Sequence, residues 1–186
     1  MSSLVFFLEE QSAQAMLEGI LPRLLPADMA LRYIIFQGKQ DLGKRLVHKM
    51  RNWQEPNTQF VIIRDQDSHD CRHVKQELLV LAQEAGQQSP LIRIACHELE
   101  TFFLGDLQAI ELGLGYKNLA KLQKTQLYRN PDRLNNAYQE LKKLAPSYQK
   151  IGGSRAIAPH LRLDDSNTSE SFQHLISGIS RLVAAR

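Results

Sequence analysis

Four short runs of bulky apolar residues, separated by segments with helical spacing, constrain the fold of this chain more than any other feature. The runs are SLVFFL (3–8), LRYIIF (31–36), QFVIIR (59–64) and PLIRIAC (90–96). Such runs are typical of strands that are buried on both faces of a parallel sheet. Between them, apolar residues recur every three or four positions, as at Leu42, Leu46 and Met50, which indicates connecting helices. The alternation predicts an α/β fold with a mostly parallel sheet of about four strands flanked by helices.

After residue 100 the strand pattern stops, and the sequence predicts a helical C-terminal half. We expect one helix over 100–115, the start of another near 117–124, a third over 130–146, and a final amphipathic helix from about Ser169. The segment 149–167 contains glycines and a proline and is predicted to be a loop. The 186 residues are expected to form a single domain, 1–186, with an α/β core over 1–100 and a helical C-terminal extension over 101–186.

The composition is that of a globular protein, with 43% hydrophobic and 23% charged residues. No apolar run approaches the ~20 residues that a membrane-spanning helix needs. The N-terminal apolar run is not preceded by basic residues, which argues against a signal peptide. We therefore expect a cytoplasmic protein in which Cys71 and Cys96 are reduced thiols.

Acidic residues follow three of the four predicted strands. They are Glu9 and Glu10 after the first, Asp65 and Asp67 after the third, and Glu98 and Glu100 after the fourth. Because parallel strands end at one edge of the sheet, these carboxylates are expected to converge there. In an extended backbone, Asp65 and Asp67 would project to the same side, where their repulsion favours a bound cation. The pattern predicts a Mg²⁺ or Mn²⁺ site with Glu9, Asp65, Asp67, Glu98 and Glu100 as candidate ligands.

The alternative is that these acids stabilise helix N-termini, which favours each by about 0.3–1 kcal/mol. Asp70 fits that role better than the role of a ligand, and Ser68 is a further candidate cap for the helix that follows. Convergence of three acidic pairs at one sheet edge favours metal binding for the others.

Positive charge is concentrated between residues 117 and 162. This segment contains ten basic and two acidic residues, a net charge of +8. It predicts an anionic partner such as DNA or RNA, although a solvated helical face explains the charge equally well. Lys117, Lys121 and Lys124 would share one face of a helix and follow a phosphate backbone. Lys150 and Arg155 are candidates to bind a phosphate beside the metal site, or to cap helix carboxyl ends.

The acidic motifs resemble those of a known domain. FFLEEQSAQAMLEGIL followed by FVIIRDQDSHD is similar to the Toprim domain, which has a glutamate after its first strand and D-x-D after its third. The stretches LIRIACHELETFFLGD and GSRAIAPHL resemble the Toprim-like DUF4276 family of bacteria. That family is related to the Toprim domains of the overcoming-lysogenization-defect nucleases.

This resemblance implies a function. Glu9 falls at the Toprim glutamate, a general acid/base or metal ligand, and Asp65 and Asp67 fall at the metal-binding aspartates. The implied activity is Mg²⁺- or Mn²⁺-dependent hydrolysis of a phosphodiester, with Lys150 and Arg155 as further catalytic candidates. The resemblance also implies an ATPase partner and a role in phage defence.

Two positions depart from the Toprim pattern, which usually has glycine after the first glutamate and often an aspartate a few residues later. Here those positions are Glu10 and Ala13. The departures favour an alternative, a catalytically inactive interaction or regulatory subunit, and the last helix is compatible with a homodimer. A phosphatase of the haloacid-dehalogenase type is disfavoured because its D-x-D follows the first strand.

Overall fold

The four predicted strands form one parallel sheet in a computed structural model, which describes residues 3–87 and 89–184. The strands are β1 (Ser3–Leu8), β2 (Ala30–Ile35), β3 (Thr58–Asp65) and β4 (Leu91–Ala95). Their order is β2-β1-β3-β4, and every neighbouring pair is parallel. The predicted α/β class is confirmed.

Helices cover both faces of the sheet, and β1 is therefore buried on both sides. Leu4, Phe6 and Leu8 face the layer that contains α1 (Gln11–Ile20) and the C-terminal helices. Val5 and Phe7, which alternate with them, face the layer built from two other helices, α2 (Lys39–Arg51) and α3 (Cys71–Glu84). The alternation along one strand thus divides the core into two layers.

Five further helices belong to the layer that contains α1. They are α4 (Glu100–Leu104), α5 (Leu107–Leu114), α6 (Ala137–Leu144), α7 (Lys150–Ile157) and α8 (Glu170–Ala184). The apolar stripe of α8, which includes Phe172, Leu175 and Ile179, is buried in this layer. The stripe that is compatible with a dimer therefore packs within the chain.

The predicted helix over 100–115 is two helices. Gly105 lies so close to Asn167 and Ser169 that a side chain there would clash. Asp106 then starts α5, since its carboxylate accepts a hydrogen bond from the Ala109 backbone N–H. A capping side chain at this point ends one helix and begins the next, so the single-helix prediction was wrong.

Two other predictions in this half were also wrong. Residues 117–124 contain only a 3-10 turn, Ala120–Leu122, so the three lysines predicted to share a helical face do not. The predicted loop over 149–167 contains α7, whose glycine at 153 allows the Tyr148 ring to pack against the backbone. Glycine here serves close packing rather than a turn.

Details at the helix ends also differ from expectation. The predicted third helix begins as a 3-10 turn, Pro131–Arg133, and its α-helical part starts at Ala137. Asp70, not Ser68, caps α3, because its carboxylate accepts hydrogen bonds from the backbone N–H groups of Arg72 and His73.

Both cysteines are free thiols. In the residues that the structure describes, no helix is long and apolar enough to span a bilayer.

Two helical glycines give opposite predictions for substitution by alanine. A Cβ atom at Gly113 in α5 would lie 2.5 Å from the carbonyl oxygen of Ala156 and 2.7 Å from the Cα atom of Ile157. Gly113→Ala is expected to destabilise the fold by about 1–3 kcal/mol, because backbone must move. At Gly152 in α7, nothing lies within 4 Å of the position that a Cβ atom would occupy. Gly152→Ala is expected to stabilise by up to about 1 kcal/mol.

Chemical denaturation of the two variants beside the wild type measures both effects. Equal changes in the free energy of unfolding would contradict the close packing of α5 on α7.

Candidate functional site

The crevice between β1 and β3 is where the connections diverge. From β1 the chain passes through α1 to β2 on one side, and from β3 through α3 to β4 on the other. In open parallel sheets this switch point is the usual place for a ligand. Glu9 follows β1, Asp65 ends β3, and the Asp65 backbone N–H donates to Oε2 of Glu9 over 3.3 Å. The topology therefore brings these two acids together.

Glu100 contributes a third carboxylate from the start of α4. Its side chain is fully buried, and the Tyr148 hydroxyl donates to Oε1 over 3.1 Å. Oε2 has no hydrogen-bond partner among the described residues. An unpaired buried carboxylate oxygen is costly, so Glu100 keeps one oxygen free to accept a hydrogen bond or to bind a cation.

The electrostatics of the three acids reflect burial and mutual repulsion. Burial, followed by the charges of Glu9, Glu10 and Glu100, raises the pKa of Asp65 well above its usual value. Burial and the charge of Asp67 raise the pKa of Glu9. Burial also raises the pKa of Glu100, although Lys150 and the Tyr148 hydroxyl oppose the shift. Each acid therefore holds its proton more strongly than a free carboxyl group does.

Two lysines supply positive charge around this cluster. The Lys150 ammonium lies 3.1 Å from Oε2 of Glu10, and the Lys39 ammonium lies 2.8 Å from Oδ2 of Asp67. Burial by itself would lower the pKa of Lys150, but Glu100 and Glu10 outweigh it and raise that pKa. Lys150 is therefore a protonated cation at the acidic cluster.

Asp67 does not continue the strand as expected. Its φ is 56°, in the left-handed region, and so is that of His97, at 62°. The Asp67 backbone N–H donates to the His97 carbonyl over 2.9 Å, and His97 Nδ1 lies 3.0 Å from the Asp67 carbonyl oxygen. These contacts join the loops after β3 and β4. Strand alternation therefore does not place the Asp67 carboxylate, and the extended backbone expected at this position was wrong.

Glu98 has a local structural partner. Its Oε2 accepts a hydrogen bond from the Tyr138 backbone N–H over 2.7 Å, in the first turn of α6. Of the two glutamates after β4, Glu100 is the one whose charge acts on Asp65. The Arg155 side chain is exposed on α7 and makes no hydrogen bond or ion pair within the described residues. The structure thus brings Glu9, Asp65, Glu100 and Lys150 together, and Asp67 joins them through its charge on Glu9.

Sequence reasoning missed two participants and one pairing. Tyr148 and Lys39 lie in segments with no motif, and only the folded chain shows that they contact Glu100 and Asp67. The pairing of Glu10 with Lys150 joins residues 140 positions apart. Nothing in the sequence around Glu10, the residue after the Toprim glutamate, indicated that it would pair with Lys150.

The acids suit a hard divalent cation by their chemistry. Glu9, Asp65 and Glu100 offer carboxylate oxygens, the donors that Mg²⁺ and Mn²⁺ prefer. The unpaired Oε2 of Glu100 fits that role. As the side chains stand, no group of three or more His, Cys, Asp or Glu within residues 3–87 and 89–184 is arranged to hold a metal ion. Binding would therefore require these side chains to turn toward one another.

The raised pKa values predict how stability depends on pH without metal. The folded state binds protons more tightly than the unfolded chain, so the stability that these groups contribute is fully present below their unfolded pKa values and is lost as pH rises through the raised values. Asp65→Asn removes one charge and is expected to stabilise the protein by on the order of 1 kcal/mol at about pH 8, and by much less at about pH 4. Thermal unfolding in EDTA measures this, with exposed Asp28→Asn as the control. A gain that does not depend on pH would contradict the repulsion.

Comparisons with known proteins agree with this architecture. Residues 8–180 match the family described as "Domain of unknown function (DUF4276)". The fold is similar to that of the C-terminal region of the Burkholderia pseudomallei OLD protein, with a TM-score of 0.53 and 17% identity over 97% of this chain and 98% of that chain. No curated protein matches the sequence. At this identity the structural likeness shows the fold alone, whereas the family match spans most of the sequence, and the chain belongs to the DUF4276 family.

Proposed function

We propose that the protein is a Mg²⁺- or Mn²⁺-dependent phosphodiesterase of Toprim type that cleaves DNA or RNA. One observation carries the proposal. Glu9 and Asp65 lie together at the switch point of the sheet, and Glu100, whose charge acts on Asp65, keeps a buried oxygen without a partner among the described residues. Buried like charges are unfavourable for the fold, which indicates a role in binding or chemistry rather than stability.

The fold and the motifs support the same function. A glutamate after β1 and D-x-D after β3 occupy the positions that they have in Toprim domains. The likeness to the OLD protein region supports a shared fold, and the DUF4276 match spans the residues concerned. The residues that would bind the metal and the substrate are therefore inferred from this chain itself.

Glu9, Asp65, Asp67 and Glu100 would hold the metal. When bound, such an ion polarises a phosphoryl oxygen and lowers the pKa of water. Glu98 is a weaker candidate because the α6 backbone already occupies one of its oxygens. Asp67 would exchange its ion pair with Lys39 for the metal.

The residues of the chain have separate roles in hydrolysis. A water oxygen forms a bond to phosphorus, the ester P–O bond breaks, water loses a proton and the leaving oxygen gains one. If Asp65, Asp67 and Glu100 hold the ion, Glu9 is placed beside Asp65 to move a proton as general acid/base. Lys150, protonated beside Glu10 and Glu100, would orient a phosphate oxygen and balance developing charge. Arg155, exposed on α7, would contact the substrate only at the rim of the site.

In the cell, we propose that the protein acts with an ATPase partner in phage defence. This part of the proposal comes from the family resemblance. Neither the partner nor the process is indicated by a contact within the chain.

A second candidate function is a catalytically inactive interaction subunit. The specific observation is that the chain supplies its own cations to the acidic cluster. Lys150 pairs with Glu10, at the position where Toprim domains usually have glycine, and Lys39 pairs with Asp67. These pairs reduce the need for a metal ion.

Cleavage assays with the two glutamates after β4 test the proposed function. Labelled DNA and RNA, single- and double-stranded, are incubated with the protein in Mg²⁺ or Mn²⁺. Wild type and Glu98→Gln are expected to cleave at rates within about twofold, while Glu100→Gln loses about 100-fold or more, as expected for a lost metal ligand. The pair is matched because both changes are isosteric and lie two residues apart.

Thermal unfolding verifies that both variants fold. Cleavage that survives Glu100→Gln would contradict the assignment of this carboxylate. Absence of cleavage by the wild type on all four substrates would favour the interaction subunit.

A further inference from the structure

We propose that a cationic groove, separate from the acidic cluster, binds the phosphate backbone of double-stranded nucleic acid. The groove consists of three adjoining cavities of about 550, 430 and 770 Å³. As a path for substrate it rests on the proposed function, but its binding of nucleic acid needs no metal.

Shared residues place the three cavities side by side. Arg129 lines both the first and the second cavity, and Asn130 and Arg133 line both the second and the third. The first cavity is also lined by Lys121 and Lys124. Together they form one groove along the segment that connects α5 to α6, ending against α3.

Seven basic side chains of the groove have no carboxylate partner. They are Arg72, Lys75, Arg93, Lys121, Lys124, Arg129 and Arg133, and none forms an ion pair with any residue in the part of the chain that the structure describes. Arg93 donates to the backbone carbonyls of Ile92 and His174, which leaves six free cations. Arg162 also lines the first cavity but is paired with buried Asp106. The unpaired cations are therefore available to an external anion.

The two acids in the lining offset only part of this charge. Asp132 and Glu170 both line the third cavity. Asp132 uses both oxygens to accept hydrogen bonds at the start of α8, from the Ser169 hydroxyl and the Ser171 backbone N–H. Glu170, exposed in the first turn of α8, lies where the helix dipole favours a negative charge. A groove with six free cations and two such acids attracts a polyanion.

The groove leads toward the acidic cluster. Its third cavity is lined by Cys71, the first residue of α3, and by Cys96, which directly follows β4. The residue before Cys96, Ala95, is paired with Asp65 in the β3–β4 ladder. A polyanion in the groove would therefore approach the carboxyl edge of the sheet.

The lining favours a duplex over a single strand. It contains no Phe, Tyr or Trp among the described residues. Single-strand binders combine cations with aromatic side chains on which bases stack. Cations without stacking surfaces contact phosphates, which gives binding that is independent of sequence and strongly dependent on salt. Arg72 and Lys75 contribute from α3, outside the basic segment that the sequence identified.

Fluorescence anisotropy in EDTA tests the groove without any metal. The probe is a labelled duplex of about 30 base pairs, long enough to cover the groove at any register, titrated at several salt concentrations. Lys124→Ala/Arg129→Ala is compared with Lys44→Ala/Arg51→Ala. The control removes the same two charges, one lysine and one arginine, from exposed positions on α2 that line none of the three cavities.

The groove variant is expected to bind at least about tenfold more weakly at low salt, and its slope of log K against log salt should be shallower by about two. The control should keep the wild-type slope to within about one unit. Equal losses in both variants, or no loss in the groove variant, would overturn the proposal. Tighter binding of a single strand, or binding of poly-glutamate but not of the duplex, would also overturn it.

Asp65→Asn distinguishes this proposal from the proposed function. It should bind the duplex in EDTA as wild type does, since Asp65 does not line the groove. If duplex binding depends on Lys124 and Arg129 but the protein binds no metal, the proposed groove is supported and the proposed metal-dependent phosphodiesterase is contradicted.

Discussion

Repulsion among buried and half-buried carboxylates at the crevice between β1 and β3 governs the rest of the site. Adjacent strands hold the backbones of Glu9 and Asp65 side by side, and the Asp65 N–H donates to the Glu9 carboxylate. The repulsion must therefore be offset by protons, by the chain's own lysines, or by a bound cation. Raised pKa values of Glu9, Asp65 and Glu100 reflect the first option, and the ion pair between Lys150 and Glu10 reflects the second. The proposed function corresponds to the third option, a bound divalent cation.

The C-terminal helices complete a site that the sheet only begins. α4 contributes Glu100, the segment before α7 contributes Tyr148, and α7 begins with Lys150. Close packing fixes these positions, because glycines at 113 and 153 let α5 and the Tyr148 ring approach the backbone of α7. The helical half therefore both covers one face of the sheet and positions the charged side chains.

Much of the fold could be predicted because strand and helix periods are local properties of sequence. The four strands appear within one residue of the expected bounds, and the parallel order follows from the alternation with helices. Local patterns failed where long-range contacts decide the outcome. Gly105 packs against Asn167 and Ser169 where the predicted helix divides, and Gly153 packs against a ring rather than forming a turn. The same reason limits prediction of the site. Acids after strands are visible in sequence, but the separation of Glu98 from Glu100 depends on the backbone of α6.

The central claim is that the acidic cluster binds a divalent cation, and calorimetric titration of Mn²⁺ and Mg²⁺ tests it most directly. Wild type is compared with Asp65→Ala/Asp67→Ala, whose folding is verified by circular dichroism. We expect saturable binding to the wild type that is lost in the double variant, because Asp65 lies against Glu9 and its charge acts with that of Glu100. Binding of equal strength to both proteins, or no binding to the folded wild type, would contradict it.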